Sequence, residues 1–546
     1  MNNETRRTRN SKKESTLRAD GASARGSRRR FCLLATSAAQ SAARRMPRRH
    51  PGALLALVLS AVPAAGVGWS CGVTDSGQAT CFASSCQQLV GAIATGIAHI
   101  TLTADLTPEA DVTFAACAAA YPLRVARQLT IQGACSATRC VLHGGATVER
   151  TGGAACLRGC VQCTGGGQNI FAVKAGGLLT LDSLHLRGAC NPAGDGGGDG
   201  GGGAVSLVGG HNEGAVPAAR RALHTLRHAP PPPAPPSFAP ADVARLTATN
   251  CRFSDNAAMG GGSGSSLWNG QGGAVAMLNV QTAAEFSACE FEANFAWGSA
   301  SASSYAGDWG DGGAVYIGGG RASFAQCSFT GCEAERSGGA VAARDGAAVD
   351  FASCLFDTCA VADDYFDGGG AVFAAGAATV ATFELCRFQS CVVRQYPDPR
   401  RQSLTCGGGA ASVVTGASAS FSFCVFSGNT APRGGAVCVH DATAEFNSAV
   451  LAAGNVAGRS WFGTPGAAVE CVMCGARAVP TADCVLLRDG AATARERGGS
   501  PTCRPLPDSP AAAALREWWL AQAAIDDAAS VPAVPIAERR GLFGSW

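Results

Sequence analysis

The chain has 546 residues, 15% of them charged, and a formal net charge of +3, so it has no charge excess that would recruit nucleic acid. The positive charge gathers before residue 50, in RRTRNSKK, RGSRRR and ARRMPRRH, apart from everything that follows. Glycine (72) and cysteine (26) are abundant and recur at regular positions, so length is a poor guide to domain number.

Residues 1–45 read as a disordered basic extension, and Met46 is a second candidate start. Residues 46–68, MPRRHPGALLALVLSAVPAAGVG, have the three parts of a secretory signal: an arginine-bearing start, an apolar run and a small-residue end. The apolar run is about ten residues, too short to span a bilayer, and no transmembrane segment is expected beyond this signal peptide. Cleavage before Trp69 leaves every cysteine but Cys32 in the mature chain, so an oxidising compartment and mostly paired thiols are expected.

An N-terminal cap follows at 69–98. Its first part, with Cys71 and Cys81, is polar and glycine-containing; then Ser85 and Gln88 form a capping box ahead of a short helix at about 86–97. That helix is expected to shield the open edge of the first coil. HITLTADLT opens a long array, 99–470, with apolar residues on alternate positions. Residues 122–190 supply imperfect coils, in which LTIQGAC and LHLRGAC look like early versions of the later repeat. A glycine run at 191–203 and a mobile insert at 206–248, holding APPPPAPPSFAP, interrupt the array. The 471–546 region contains cysteines and a helix, from Ser509-Pro510 through Trp518 and Trp519, that either caps the array or docks on a partner.

The repeat has two halves. Gly-Gly-Ala-Val begins at Gly202, Gly272, Gly312, Gly338, Gly369 and Gly434, with GGAA at Gly408. Cys-x-Phe-x-x-Asn/Cys begins at Cys251, Cys289, Cys327, Cys354, Cys386 and Cys424. From Gly-Gly to the next Cys the steps are 17, 15, 16, 17 and 16; from Cys to the next Gly-Gly they are 21, 23, 11, 15, 22 and 10. One half is rigid in length and the other is free, as in a solenoid with one tolerant loop per coil.

Within CEFEAN, Cys289 and Phe291 fall on one face of a strand and Glu290 and Glu292 on the other. Coils stacked at about 4.8 Å would align Phe253, Phe291, Phe329, Phe356, Phe388 and Phe426 into one internal column. The Asn position is the following turn, where Asn tolerates left-handed angles and its amide can bond to the next coil's amide. Three coils carry Cys there, so Cys327/Cys332, Cys354/Cys359 and Cys386/Cys391 are candidate local disulfides, with pairing between neighbouring coils as the rival. The shortest coils are too short for a βαβ unit, and helical periodicity is absent. The expected fold is all-β: a right-handed parallel β-helix solenoid with short helical caps.

Gly-Gly-Ala-Val paired with FSDN, FEAN and FSGN resembles the repeats of the chlamydial polymorphic outer-membrane proteins and, more widely, right-handed β-helix proteins of the pectin-lyase-like fold. The resemblance covers roughly 170–470. It implies a secreted or cell-surface passenger for adhesion or recognition. Chlamydial members end in a membrane β-barrel, whereas about 75 residues without alternating strands follow the last coil here. The fold also hosts polysaccharide lyases and glycoside hydrolases. This sequence has no Asn-Thr-Asp or Gly-His-Gly run, and RQYPDPR, 394–400, only approaches the Arg-x-Pro-x-x-Arg of pectate lyases. The expectation is a non-enzymatic adhesion or recognition module for a glycan or protein ligand, without cofactor or metal, with a polysaccharide-degrading enzyme as the alternative.

Candidate ligand-binding residues lie in the tolerant loops: Trp268, Trp297, Tyr305, Asp308, Trp309, Asp311, Asp363, Asp364, Tyr365 and Tyr396, with Asp367 and Trp461 beside them. Loops of a solenoid emerge on one side, and flat rings next to carboxylates suit sugars or protein surfaces. The same rings could simply pin long loops to the coil. Cys156, Cys160 and Cys163, and Cys471 with Cys474, have spacings used by zinc, but disulfides are expected in so cysteine-dense a chain.

Overall fold

The computed structural model describes residues 70–73, 79–136, 139–150, 161–164, 168–192, 201–210, 242–260, 270–298, 310–362, 368–394, 407–432, 434–440, 442–447, 450–451, 455–459, 465–466, 469–472 and 495–496. The basic extension, the signal segment and the helix after Ser509 lie outside them. Most of what is described is strand, in long parallel sheets, with two helices, α1 (Cys86–Ala94) and α2 (Phe114–Ala120). None of the described helices is long and apolar enough to cross a membrane.

From Leu178 onward each coil contributes one strand to each of four sheets. Sheet A has twelve strands and includes Thr282–Ser287, Arg321–Ala325 and Ala348–Ala352; sheet B has nine, including Glu290–Glu292, Ser328–Thr330 and Leu355–Asp357. Sheet C has nine short strands, such as Phe295–Trp297 and Glu333–Ala334, and sheet D has eleven, such as Val275–Met277 and Val315–Gly318. From Leu178 to His440, neighbours within a sheet are equivalent strands of successive coils, paired parallel and in register: Phe291 lies beside Phe253 and Phe329, and Phe286 beside Phe324. Sheet D runs on past residue 470, through Val469–Val472 to Arg495–Glu496.

Two phenylalanine columns fill the interior. The expected one, on sheet B, stacks its rings 4.7–4.9 Å apart from Phe253 to Phe426. A second stands on sheet A, where Phe286, Phe324, Phe351, Phe383 and Phe421 stack at 4.7–4.9 Å. Within a coil the two columns meet edge to face at 5.4–5.5 Å. Edge-to-face contact sets the positive rim of one ring against the negative face of the other. The sequence signal for the second column is F-x-x-C-x-F, in FSACEF, FAQCSF, FASCLF, FELCRF and FSFCVF.

The Asn row runs as expected through side-chain amides: Asn256 Nδ2 donates to Asn294 Oδ1 at 3.0 Å, and Asn429 Nδ2 to Asn455 Oδ1 at 2.9 Å. The left-handed angle, however, falls one residue earlier, at Asp255 (φ 51) and Ala293 (φ 49). Asn itself turns inward and is fully buried at both Asn256 and Asn294. Asn294 Nδ2 also donates to the Phe253 carbonyl of the preceding coil at 2.8 Å. Where Cys replaces Asn, the thiol takes the same kind of acceptor: Cys332 to Phe291 O at 3.4 Å, Cys359 to Phe329 O at 3.3 Å and Cys391 to Phe356 O at 3.6 Å.

Neither disulfide scheme for those coils forms. Cys327, Cys332, Cys354, Cys359, Cys386 and Cys391 are all free and buried. Within one coil the pair straddles a three-residue strand of sheet B, about 10 Å long, beyond disulfide reach. Between coils the Cα atoms are near enough, but side chains aligned in a parallel ladder keep Cβ atoms at about the strand spacing of 4.8 Å, above the range of about 3.5–4.5 Å that a bridge needs.

Bridges occur instead at the N-terminal end: Cys71–Cys81, Cys86–Cys117, Cys135–Cys140 and Cys163–Cys190. Cys438 is disulfide-bonded as well. Cys71–Cys81 joins an antiparallel hairpin, Ser70–Val73 with Ala79–Ala83, in the polar, glycine-containing segment, and this hairpin rather than the helix continues sheet A outward. α1 starts where expected: Ser85 Oγ accepts from Gln88 N at 3.4 Å, while Gln88 Oε1 reaches back to Ser84 N at 2.8 Å. It buries Cys86, Leu89 and Ala92 against the end of the core, tied to the unforeseen α2 by Cys86–Cys117.

Two boundaries shift. Leu184–Arg187 lies in sheet B as expected, but LTIQGAC lies in sheet A, and Cys140–His143 is its coil's sheet-B strand. Strands of the two sheets share a period of two, so alternation alone cannot separate them. The insert also narrows: Val205–Val208 and Ala244–Thr249 are paired strands, leaving 211–241 outside the described residues.

Candidate functional site

The free half of the repeat can be placed from its two ends. The stretch to 261–269 leaves at Gly260 and returns at Gly270; 299–309 leaves at Gly298 and returns at Gly310; 363–367 lies between Ala362 and Gly368; 395–406 lies between Arg394 and Gly407. Each departs from the end of a sheet C strand and re-enters before a sheet D strand. All four therefore open on one corner of the stack. The backbone ladder holds up to that corner, with Glu335 N bonded to Ala296 O, Ala362 N to Ala334 O and Arg394 N to Val361 O, each at 2.9 Å.

Re-entry depends on the glycine pair. Gly272 has φ +68, a left-handed angle that glycine adopts without strain. A Cβ on Gly273 would stand 2.0 Å from Gly313 O and 2.5 Å from Phe295 N, because sheets C and D pass close together there. Backbone crowding therefore demands the second glycine, and chain reversal the first.

Of the ten candidate ligand-binding residues, Trp297 and Asp311 are described. Trp268, Tyr305, Asp308, Trp309, Asp363, Asp364, Tyr365 and Tyr396 lie outside the described residues, as do Asp367 and Trp461. Trp297 is 5% exposed and packs with Ala146, Cys190, Ala257 and Phe295. Its ring pins the coil at the mouth of the 299–309 stretch. Asp311 is 2% exposed and sits 3.1 Å from Arg344 Nε. Arg344 also reaches Ser337 Oγ at 3.3 Å and lies 4.5 Å over the Phe373 ring, which ties the Asp311 corner to the outer face of sheet D.

That corner holds polar groups the coil does not satisfy. Asp311 Oδ1, Gln271 Oε1 and Ser206 Oγ are buried and find no hydrogen-bond partner among the described residues. Gln271 and Asp311 occupy the same position in adjacent coils, immediately before Gly-Gly. Such oxygens accept hydrogen bonds from hydroxyl or amide donors, and burying them unpaired costs about 1–3 kcal/mol each. One corner strand further on, the buried Glu333 carboxylate takes two contacts from Arg394, at 2.7 and 3.4 Å.

A second polar cluster, on the outer face of sheet B, was not singled out in the sequence. Arg139 pairs with Glu290 at 2.9 Å, Arg252 with Glu292, and Arg187 with Asp255 at 3.1 Å. Hydrogen bonding from Arg139 holds the Glu290 carboxyl low. His185 Nε2 meets Ser254 Oγ at 2.8 Å; burial, and then the charges of Arg252 and Arg187, push its pKa down to about 4, so the ring is neutral at pH 7. The legible signal was alternation: His185, Arg252 and Glu290 hold one outward position on consecutive coils. Their charges largely cancel in pairs, as on a solvated sheet face. Among the described residues, no three His, Cys, Asp or Glu side chains stand close enough together to hold a metal ion. Compared with protein-family models, curated proteins and solved structures, the chain gives no match.

Proposed function

We propose that the chain is a secreted or cell-surface right-handed parallel β-helix of the pectin-lyase-like kind, and that it works as a non-enzymatic adhesion or recognition module for a glycan or protein ligand. The observation that carries this reading is the common corner: segments of unequal length leave and re-enter a stack of fixed geometry side by side. Side chains on such segments add up along the axis into one extended surface, the usual binding face of a solenoid. The disulfides fit an oxidising compartment, reached through the 46–68 signal.

The full chain from Trp69 onward is tested on an array of glycans and extracellular-matrix proteins, with chromatography of any bound polysaccharide. Binding with the polysaccharide recovered intact is the expected result. Shortened or unsaturated products would overturn the reading in favour of a lyase or hydrolase of the same fold.

A further inference from the structure

Cys438 is disulfide-bonded, while every other described cysteine side chain is either in one of the four N-terminal bridges or free, so its partner lies outside the described residues. It stands on the sheet D strand Val437–His440, in register with Ser412 of the preceding coil. Val437 and Val439 on either side of it belong to the interior core, so Cys438 points outward, where it is buried in an apolar patch with Ala342, Phe373 and Val414.

Chain connectivity narrows the choice of partner. A Cβ on Gly408 would stand 2.7 Å from Cys438 N. Cys406 is two Cα steps of about 3.8 Å before Gly408, so its Cα lies within about 13 Å of that of Cys438 by any path, and the bridge range of about 4.4–6.8 Å falls inside this bound. Cys474 is held less closely, because register sets Cys438 opposite Glu470, and Cys471 is in register with the inward Val439. The remaining cysteines outside the described residues stand farther along the chain from the strands on either side of Cys438. A tie of the same geometry exists without sulfur: Asp311, just before Gly312, reaches Arg344 on the next coil's sheet D strand at 3.1 Å.

We propose that Cys438 is bonded to Cys406, and that this bridge pins the re-entry of the 395–406 segment to the outer face of the next coil. It forms by thiol–disulfide exchange: the two thiols pass two electrons and two protons to an external disulfide, which is reduced to two thiols, and one S–S bond is made. An oxidising compartment supplies that oxidant. The bridge stands apart from ligand recognition at the corner and is tested without a ligand.

The full chain from Trp69 onward, made in a secreting host, is denatured in alkylating agent and digested with trypsin without reduction. Residues 402–433 and 434–459 should run as one species that separates on reduction, and fragmentation should place the link on Cys406 with Cys424 alkylated. Cys406→Ser should leave Cys438 open to alkylation, whereas Cys474→Ser should leave the link intact. In Cys406→Ser the hydrogen-bonded amides of 408–411 should exchange at least about tenfold faster, with protection over 282–352 retained. Cys438 joined to any other cysteine, a reduced Cys438 in the intact chain, or exchange unchanged in Cys406→Ser would each overturn the proposal.

Discussion

The two ends of the described array solve one problem differently. Before residue 193 the coils are irregular, their rungs are Leu and Ile, and four disulfides tie them. From Cys251 to Cys424 the rungs are paired phenylalanines and every ladder cysteine is a free thiol. An interior coil has a neighbour above and below, so each ring stacks on two others, whereas a terminal coil can stack on one side only. Four covalent ties stand at that end, with Cys438 bonded beyond the regular coils, while along the Cys251–Cys424 ladder repetition takes their place.

The contrast can be broken most forcefully at the rungs. Phe329→Ala removes a ring stacked on both Phe291 and Phe356 and should cost about 4 kcal/mol in urea denaturation. Leu186→Ala, a rung nearer the stapled end, should cost about 3 kcal/mol. A cost at Leu186 equal to or above that at Phe329 would undo the contrast. Next, replacing both Cys86 and Cys117 by Ala opens a 31-residue loop and should cost about 3 kcal/mol, seen as faster amide exchange over 79–133 with protection over 282–426 retained.

A smaller effect separates Asn from Cys in the inner row. Asn294→Ala leaves the Phe253 carbonyl and the Asn256 amide short of a partner and should cost about 2 kcal/mol. Asn294→Cys should cost less than half of that, because a thiol at this position reaches the same carbonyl, as Cys332 does at Phe291. Equal losses in thermal melts would show that the thiol is no substitute. His185 provides a pH test at the irregular end. Its folded pKa of about 4 lies below the ordinary 6.5, so the unfolded chain binds the proton first. Stability from this group is complete above pH 6.5 and declines as pH falls toward 4, by about 1–2 kcal/mol given its partial exposure, and His185→Gln should flatten that slope. Smallest of all, Leu385→Gly should raise stability by up to about 1 kcal/mol, since Leu385 holds φ 55 with its side chain exposed.

How much of this was legible follows from what each signal encodes. The Gly-Gly to Cys intervals exposed the coil and its tolerant side, because stacking in register cannot absorb length changes. Alternation placed Cys289 and Phe291 inside. It missed the Phe286 column, although F-x-x-C-x-F repeats as strictly, and it assigned LTIQGAC to the wrong sheet. The disulfide expectation for Cys327 and Cys332 failed because a short spacing along the chain is not a short distance when a three-residue strand, about 10 Å long, runs between the two. The turn was placed at Asn294 when it belongs to Ala293, since the preference of Asn for left-handed angles was weighed above its inward hydrogen bonds. At the corner, Trp297 and Asp311 were found by composition, but their burial was not: an aromatic ring beside a carboxylate looks the same whether it faces a ligand or anchors a coil.

The stack holds the aromatic rungs and register ladders, and the corner is the surface proposed for recognition. Deleting 299–309, so that Gly298 joins Gly310, tests that division directly, because the Glu335–Ser337 corner already passes without such a stretch. Measured side by side with the intact chain, the variant should keep its thermal midpoint within about 2 °C and lose signal on the array of glycans and matrix proteins. An unchanged array signal, or a midpoint lowered by more than about 4 °C, would contradict it.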